Sequence, residues 1–382
     1  MKKILIVHNK YREVGGEDIA VENEINLLKK SYEVKVLYFN NNFQSFINTL
    51  ISFFTLTNFQ SNRIIKKELK QFNPDYVYIH NTWFKVSLGV FKLLERKKVK
   101  TILKLHNFRY FCTKNFLFSN HLLDGKICQA CGATKKTNKL LNIYFKDSIL
   151  KSLFVLRYGK KYFKILKHNE IKILVLTKFH KKFLEQLGVD KNKIMTFPNY
   201  LDLSAEKKSK DKEKFILYAG RISEEKGIRE LIDSFLNSAL KDFKLKIIGN
   251  GPDFNKVSND NNIPRIEFLG SKTNSEVLDL IQKSYAVVTA TKLYEGQPNL
   301  LCEASSLGVT SIFPDSGGIV EFFPDNYQYS FKQFDYKDLE NKFDLLNDKR
   351  LVEETGIKNK AYIDKYLEKN KIQTLFESVV DE

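Results

Sequence analysis

The sequence of 382 residues contains only four cysteines and no long apolar run. Four cysteines are too few for a disulfide-stapled fold, and they indicate a reducing compartment such as the cytosol. The longest apolar stretch, residues 46–56, contains polar residues and falls well short of the roughly 20 residues that a membrane-spanning helix needs. The apolar residues before His8 lack a small-residue cleavage site, so they predict a first strand rather than a signal peptide.

Arginine is scarce throughout, and acidic residues are scarce in the first half. Nine of the 63 basic residues are arginine, which disfavours base readout of nucleic acid. Residues 1–203 contain 37 Lys and Arg against 15 Asp and Glu, a net charge of +22, whereas residues 204–382 contain 26 against 30, a net charge of −4. The asymmetry indicates that the first half faces an anionic partner, a membrane surface more than nucleic acid; a plain role in solubility is the alternative.

The pattern of apolar residues predicts an α/β fold class. Hydrophobic residues make up 43% of the chain, enough for a packed core. Short apolar strands alternate with helical segments, which is typical of parallel βαβ units. The predicted strands are 3–8, 33–39, 75–80, 100–106, 171–176, 215–219, 245–248, 266–269, 286–289 and 310–313.

A polar run over residues 204–214 divides this alternation into two series. It predicts one doubly wound domain over residues 1–203 and a second over residues 204–360. Residues 361–382 are predicted to be helical and to cross back to the first domain. Ligands bind such sheets at the carboxyl ends of the strands.

Two loops of the second half contain candidate ligand-binding residues. Gly220, Arg221 and Lys226 follow a strand and precede a helix, so a glycine and two cations lie where a diphosphate is favoured. A solvated surface turn is the alternative. Glu295 lies in a Gly/Pro loop, and Glu303 lies eight residues later in a helix. Two such carboxylates can grip two parts of one polyol ligand; an acidic helix cap with a solvated second glutamate is the alternative.

Together these motifs resemble, in order and spacing, the retaining glycosyltransferases of family 4, the group 1 glycosyltransferases, of the surface-polysaccharide type. The residues that carry the resemblance are Gly15-Gly16, Gly220-Arg221, Lys226-Gly227, Gly249-Asn250-Gly251-Pro252, Glu295 and Glu303. The resemblance covers residues 3–324. It implies the GT-B fold, with two Rossmann-like doubly wound domains facing across a cleft, and transfer from a nucleotide diphosphate sugar with retention and without a catalytic metal or cofactor.

The resemblance also implies roles for individual residues. Arg221 and Lys226 hold the diphosphate and stabilise its leaving charge, and Glu295 holds the hydroxyls of the donor sugar. His106 matches a histidine near the transferred sugar, with a positioning role rather than that of a base; a strand-end histidine that only packs is the alternative. The further residues on the donor side, with Glu303 on the ribose, are Gly15, Gly16, Gly220, Gly251, Gln297, Pro298, Asn299, Leu300 and Glu303.

The first half is predicted to receive the acceptor. Residues 43–54 have an apolar helical face, and residues 135–182 form a basic amphipathic stretch. Core packing is the alternative for the first of these. The pattern predicts a cytoplasmic protein that binds the inner face of the cytoplasmic membrane in a salt-sensitive way.

The loop after His106 contains a possible zinc site. Cys112, Cys128 and Cys131 could supply thiolates to a structural zinc. Because the sequence has no second CxxC, ordinary reduced thiols are favoured.

The predicted reaction is therefore sugar transfer to a lipid-linked surface glycan such as capsule, O-antigen or lipopolysaccharide. A basic protein that binds nucleic acid or another anionic polymer is one alternative, but it does not account for Arg221, Lys226, Glu295 and Glu303. A GT-B nucleotide-sugar epimerase is the other, and the basic, apolar first half argues against it.

Overall fold

The structure is a computed structural model that describes residues 1–10, 15–40, 46–109, 111, 127–132, 148–202 and 211–381. The chain divides into two compact units. Unit 1 comprises Met1–Tyr200 and Lys369–Glu382, and unit 2 comprises Leu201–Glu368. The boundaries between the units therefore fall after residues 200 and 368, whereas the sequence analysis placed them after residues 203 and 360.

Two parallel six-stranded sheets form from the described strands, one in each unit. The strands of unit 1 are β1 (Lys3–Lys10), β2 (Glu33–Asn40), β3 (Tyr76–Asn81), β4 (Lys100–Leu105), β5 (Lys172–Val175) and β6 (Ile194–Thr196). The strands of unit 2 are β7 (Phe215–Ala219), β8 (Lys244–Ile248), β9 (Ile266–Gly270), β10 (Ala286–Val288), β11 (Thr310–Asp315) and β12 (Ser330–Lys332).

Helices connect the parallel strands, as crossover connections require. The helices before Tyr200 are α1 (Gly16–Leu28), α2 (Phe46–Thr55), α3 (Phe59–Phe72), α4 (Gly89–Arg96), α5 (Ile149–His168) and α6 (Lys178–Gln186). Those after it are α7 (Ile228–Asn237), α8 (Phe254–Asp260), α9 (Asn274–Lys283), α10 (Asn299–Ser306), α11 (Tyr336–Asp344), α12 (Lys349–Tyr366) and α13 (Lys369–Asp381). The predicted α/β class is confirmed.

The strand orders locate the point at which each sheet reverses direction. Unit 1 has the order β2-β1-β3-β4-β5-β6, and unit 2 has the order β12-β11-β10-β7-β8-β9. The second is the six-strand Rossmann order. The reversal lies between β1 and β3 in unit 1 and between β7 and β10 in unit 2. Ligands of doubly wound sheets bind at these points, beyond the carboxyl ends of the strands.

Helix α13 packs in unit 1 although it lies far away in sequence. The Phe376 ring contacts the rings of Tyr32, Tyr78 and Phe197, with centroids 5.5–5.7 Å apart. The Tyr76 hydroxyl donates to the carbonyl of Val380 at 2.6 Å. Unit 1 is thus assembled from two separate stretches of chain.

The predicted apolar helix around residue 50 exists as α2, although residues 43–45 lie outside the described part. Phe53 stacks on Phe154 of α5, with ring centroids 4.4 Å apart, so α2 lies against α5. Ile51 and Phe54, which belong to the predicted apolar face, are exposed. Of the basic stretch 135–182, residues 135–147 are outside the described ranges and the remainder begins with α5. No helix among the described residues is both long and apolar enough to cross a membrane.

Candidate functional site

The turn from β7 to α7 requires glycine at Gly227. Its φ is +66°, and a Cβ atom there would lie 2.1 Å from the carbonyl oxygen of Ala290. This close approach joins the turn to the end of β10, the neighbouring strand at the reversal point. The Tyr218 hydroxyl donates to the carbonyl oxygen of Arg221 at 2.9 Å, and the Arg221 side chain is exposed. The hydrogen bond from Tyr218 therefore fixes the backbone of the turn, while the guanidinium group of Arg221 is exposed.

The next turn, after β8, packs directly on the first. The amide of Ile222 donates to the carbonyl of Asn250 at 2.9 Å. A Cβ atom at Gly249 would lie 1.9 Å from the carbonyl oxygen of Gly220, and one at Gly251 would lie 2.2 Å from that of Ile222. Gly220 and Gly251, both predicted on the donor side, thus lie in two loops that only glycine allows to approach so closely.

Lys226 and Glu295 meet at the reversal point of the unit 2 sheet. The Lys226 ammonium donates to Glu295 Oε1, and the Thr291 hydroxyl donates to the same oxygen at 3.0 Å. Both partners of the ion pair are about 28% exposed, so the pair is accessible from solvent. The structure therefore brings together two of the residues singled out in the sequence, which are 69 positions apart in the chain. Thr291 was not predicted.

The backbone of Glu295 is held by a glycine pair that sequence reasoning missed. Gly317 has φ +65°, and a Cβ atom there would lie 2.7 Å from the carbonyl oxygen of Glu295. The amide of Gly318 donates to that oxygen at 2.8 Å. A Gly-Gly pair four residues after the predicted strand 310–313 was the available signal, because it marks a loop at the same edge of the sheet.

The N-terminus of α10 follows the loop that contains Glu295. Pro298 precedes the first helical residue, Asn299, and the first turn contains no acidic side chain. A helix N-terminus carries a partial positive charge that favours anions. Gln297 is buried, and Leu300 is half-buried.

Glu303 lies one turn further along α10. Burial raises its pKa from 4.5 to about 7, and a hydrogen bond from Asn274 partly offsets this. A carboxylate with this pKa changes its charge near neutral pH, so its ability to accept two hydrogen bonds depends on pH.

In unit 1, three histidines lie at the carboxyl ends of adjacent strands. His8 lies on β1 and His80 on β3, and His106 directly follows β4. The His80 Nδ1 atom is 3.2 Å from His106 Nε2, and the rings of His8 and His80 meet edge to face at 6.2 Å. Only His106 was predicted. The shared position of all three at strand ends was the signal, because parallel strands end at one edge of the sheet.

Hydrogen bonds through Asp18 link His8 to the backbone of Gly15 in the predicted glycine loop. His8 Nε2 is 2.8 Å from Asp18 Oδ1, and the amide of Gly15 donates to Asp18 Oδ2 at 3.1 Å. Two acidic side chains, Glu17 and Asp18, lie in the first turn of α1. Their negative charge weakens the attraction of this helix N-terminus for phosphate. The donor-phosphate role of Gly15 and Gly16 stays a prediction, and residues 11–14 are outside the described ranges.

His80 and His106 line a pocket at this edge of unit 1. Its other walls include the aromatic rings of Trp83, Tyr158 and Tyr162. Burial, together with the nearby Lys104, lowers the pKa of both histidines well below the usual 6.5. Both imidazoles are therefore neutral near pH 7.

Beneath the histidines lies a buried ion pair between Lys104 and Glu24, 2.5 Å apart and at most 1% exposed. The Tyr78 hydroxyl donates to the other oxygen of Glu24 at 2.5 Å. Burial lowers the pKa of Lys104, while Glu24 opposes that shift. Of the two partners, Lys104 is the one that lines the pocket.

The predicted cysteine site falls partly outside the described residues. Cys128 and Cys131 are buried, whereas Cys112 is not among the described positions. The described residues contain no group of three His, Cys, Asp or Glu side chains suited to a metal ion. The zinc alternative thus stays a prediction.

Unit 2 is similar to a known protein family. Residues 201–371 match the family described as glycosyl transferases group 1. The chain carries a group 1 glycosyl transferase domain. This confirms the resemblance to group 1 glycosyltransferases, and it favours an enzyme over a basic binding protein. None of the curated proteins matches the chain.

Solved structures of similar architecture show that the chain has the GT-B fold. Anabaena HepE in complex with UDP and glucose has a TM-score of 0.71 at 13% identity, with 100% of both chains covered. Sucrose-phosphate synthase from Thermosynechococcus elongatus has a TM-score of 0.70 at 13% identity, with 99% of both covered. The lipopolysaccharide outer core galactosyltransferase WaaB has a TM-score of 0.62 at 16% identity, with 98% of this chain and 99% of that one covered.

Proposed function

We propose that this group 1 glycosyltransferase moves a sugar, with retention, from a nucleotide diphosphate sugar to a lipid-linked surface glycan. The observation that carries the proposal is the convergence of Lys226, Thr291 and Glu295 at the reversal point of the unit 2 sheet. A cation, a hydroxyl and a carboxylate at one point suit a ligand that has both phosphate and sugar hydroxyls. The N-terminus of α10 adds the partial positive charge of its helix dipole.

In the proposed reaction, the bond from the anomeric carbon to the diphosphate oxygen breaks as the acceptor oxygen bonds to that carbon. The acceptor proton passes to the departing diphosphate, so the charges balance. Lys226 and Arg221 stabilise the negative charge that grows on the leaving group, and no catalytic metal is needed for this role. Glu295 accepts hydrogen bonds from the sugar hydroxyls, and Glu303 accepts those of the ribose.

The first test is a panel of UDP-, GDP-, ADP- and dTDP-sugars. UDP-glucose is tried first, because HepE was solved with UDP and glucose. A donor at 100 times its dissociation constant should stabilise the protein by about 2.7 kcal/mol in thermal unfolding. Glu295→Ala and Arg221→Ala should lose most of this gain. Arg350→Ala removes an arginine from an exposed pair on α12 and should keep it.

The second readout separates transfer from epimerisation. Release of free nucleotide diphosphate that requires added acceptor supports transfer. Conversion of the donor into an epimeric nucleotide sugar, without net release of nucleotide diphosphate, supports the epimerase alternative. If no nucleotide sugar stabilises the wild type, the donor-site assignment is wrong.

We also propose that the protein acts at the inner face of the cytoplasmic membrane. Leu150 and Leu153 at the start of α5 are exposed, as are Ile51 and Phe54 on the neighbouring α2. Helix α5 contains no acidic residue, and its Lys151, Arg157, Lys160 and Lys164 are exposed. Apolar side chains next to a basic helix face are typical of binding to anionic lipid, where a lipid-linked acceptor would be presented.

A further inference from the structure

The pocket of unit 1 contains two histidines that share one hydrogen bond. His80 Nδ1 lies 3.2 Å from His106 Nε2, and the ring planes are inclined by 26°. His80 is 4% exposed. Within the described ranges of the chain, its other ring nitrogen, Nε2, is buried and has no hydrogen-bond partner. This one-sided pairing restricts where the protons can lie.

A neutral imidazole has one N–H and one bare nitrogen. Both rings are neutral near pH 7, so one proton lies between His80 Nδ1 and His106 Nε2. If it belonged to His106, the proton of His80 would lie on Nε2, where a buried N–H would have no acceptor. If it belongs to His80, the buried Nε2 is bare. Buried N–H groups without an acceptor are rare in proteins, which favours the second arrangement.

We propose that His80 is a positioning residue whose Nδ1–H donates to His106 Nε2 and thereby holds His106 as its Nδ1–H tautomer. His106 then offers the pocket a hydrogen-bond donor instead of a base. Its partner is an oxygen of the sugar substrate that accepts a hydrogen bond. The identity of that substrate rests on the proposed function, whereas the tautomer does not.

The surroundings of the pair are consistent with this arrangement. Burial, together with the nearby Lys104 ammonium, lowers the pKa of both rings and so keeps both neutral. The ring of Tyr78 lies 4.3 Å from that of His80 and holds it in place. His106 is half-buried and lines the pocket, so its Nδ1 edge is the one left for a ligand.

The tautomer can be read directly by long-range ¹H–¹⁵N correlation spectra of protein labelled at its six histidines. The His106 signals are assigned from the spectrum of His106→Asn. We expect a protonated Nδ1 and a bare Nε2 at His106, without substrate present. A protonated Nε2 at His106 would overturn the proposal. Because this measurement needs no activity, its result is independent of whether the donor and acceptor have been identified correctly.

Two variants then test whether His80 acts through His106. In His80→Asn the side-chain amide can replace the Nδ1–H donor, whereas in His80→Phe no donor remains. We expect His80→Phe to lower kcat roughly tenfold, the value of about one hydrogen bond, and to shift His106 towards its Nε2–H tautomer. His80→Asn should restore both. Equal losses of kcat in the two folded variants, with the tautomer of His106 unchanged, would show that His80 only packs.

Discussion

His180 on α6 lies among aromatic rings, and these surroundings disfavour its positively charged, doubly protonated form. The ring of Phe108 is 4.1 Å away and that of Phe111 is 5.6 Å away. Neither ring nitrogen of His180 has a hydrogen bond within the residues that the structure describes. Burial lowers its pKa from 6.5 to about 3. The unfolded chain therefore binds a proton below pH 6.5 that the folded protein does not, so stability is lost as the pH falls from 6.5 towards 3.

In His180→Phe, unfolding should take up one proton fewer at low pH, so the free energy of unfolding should depend less on pH. In wild type, this residue alone should lower the free energy of unfolding by about 1.4 kcal/mol for each pH unit below 6.5. The free energy of unfolding, measured with urea between pH 7.5 and 5, should depend less steeply on pH in His180→Phe than in wild type. His168→Phe, at an exposed position of α5, is the control and should keep the wild-type slope. An unchanged slope in His180→Phe would contradict the assignment.

Glu303 should make the affinity for the donor depend on pH, because protonation removes its negative charge. Its pKa is raised to about 7 by burial, so it is a carboxylate above that pH and neutral below it. If it accepts hydrogen bonds from a ribose, affinity for the donor nucleotide should fall by up to about tenfold per pH unit below 7. Titration calorimetry at pH 8, 7 and 6 measures this. Glu303→Gln should bind more weakly and without the pH dependence, while the exposed control Glu353→Gln should behave as wild type.

At the scale of elements, the β7–α7 turn depends on the absence of a side chain at Gly227. Gly270, at the end of β9, has nearly the same φ, +65°, but a Cβ atom added there would have no atom within 4 Å. Gly270→Ala should therefore cost only the left-handed strain of about 1–2 kcal/mol. Gly227→Ala should cost clearly more, because the carbonyl of Ala290 must move, and should also weaken donor binding. If both variants lose the same free energy of unfolding in urea, the turn accommodates the added Cβ atom without displacing the end of β10.

Most strands could be predicted from the sequence, because buried parallel strands are short apolar runs. The predicted strand 215–219 coincides with β7, and its neighbours differ by one or two residues. The edge strands β6 (Ile-Met-Thr) and β12 (Ser-Phe-Lys) were missed, since each has three residues of which at most two are apolar. The equally short β10 (Ala-Val-Val) was predicted because all three of its residues are apolar. Helix α3 was missed because only Ser61 and Ile65 of it are buried.

At the scale of the whole molecule, strand order decides which residues meet, and no local pattern contains it. His106 was singled out from the family resemblance alone. His80 and His8 also lie at the ends of predicted strands, but only the order β2-β1-β3-β4 shows that these strands are neighbours of β4 or of one another. Likewise, Gly317 approaches Glu295 because β10 and β11 are adjacent. Thr291, by contrast, lies only four residues before Glu295 in the same loop. Glu295 and Lys226 were predictable because each lies in a recognisable loop.

The unequal charge of the two halves predicts salt-sensitive binding to anionic vesicles. Wild type should co-sediment with phosphatidylglycerol vesicles at low salt and be released at high salt, since screening shortens the range of the attraction. Phe54→Ser with Leu150→Ser should weaken binding at least tenfold, because burial of such side chains contributes about 1.5–3 kcal/mol each. Ile357→Ser is the control, since Ile357 in unit 2 is 68% exposed and Leu150 is 73% exposed. Absence of binding at low salt would contradict the membrane proposal.

The return of α13 to unit 1 has a consequence for synthesis on the ribosome. The sheet of unit 1 is complete once Thr196 has been made, yet the helix that covers Tyr32, Tyr78 and Phe197 is made only after all of unit 2. Domains fold as units, N-terminal first during synthesis, so the strands of unit 1 can assemble while the apolar surface under Phe376 is still bare. The nascent chain therefore carries this uncovered surface throughout the synthesis of unit 2, and unit 1 is finished only when α13 has been made.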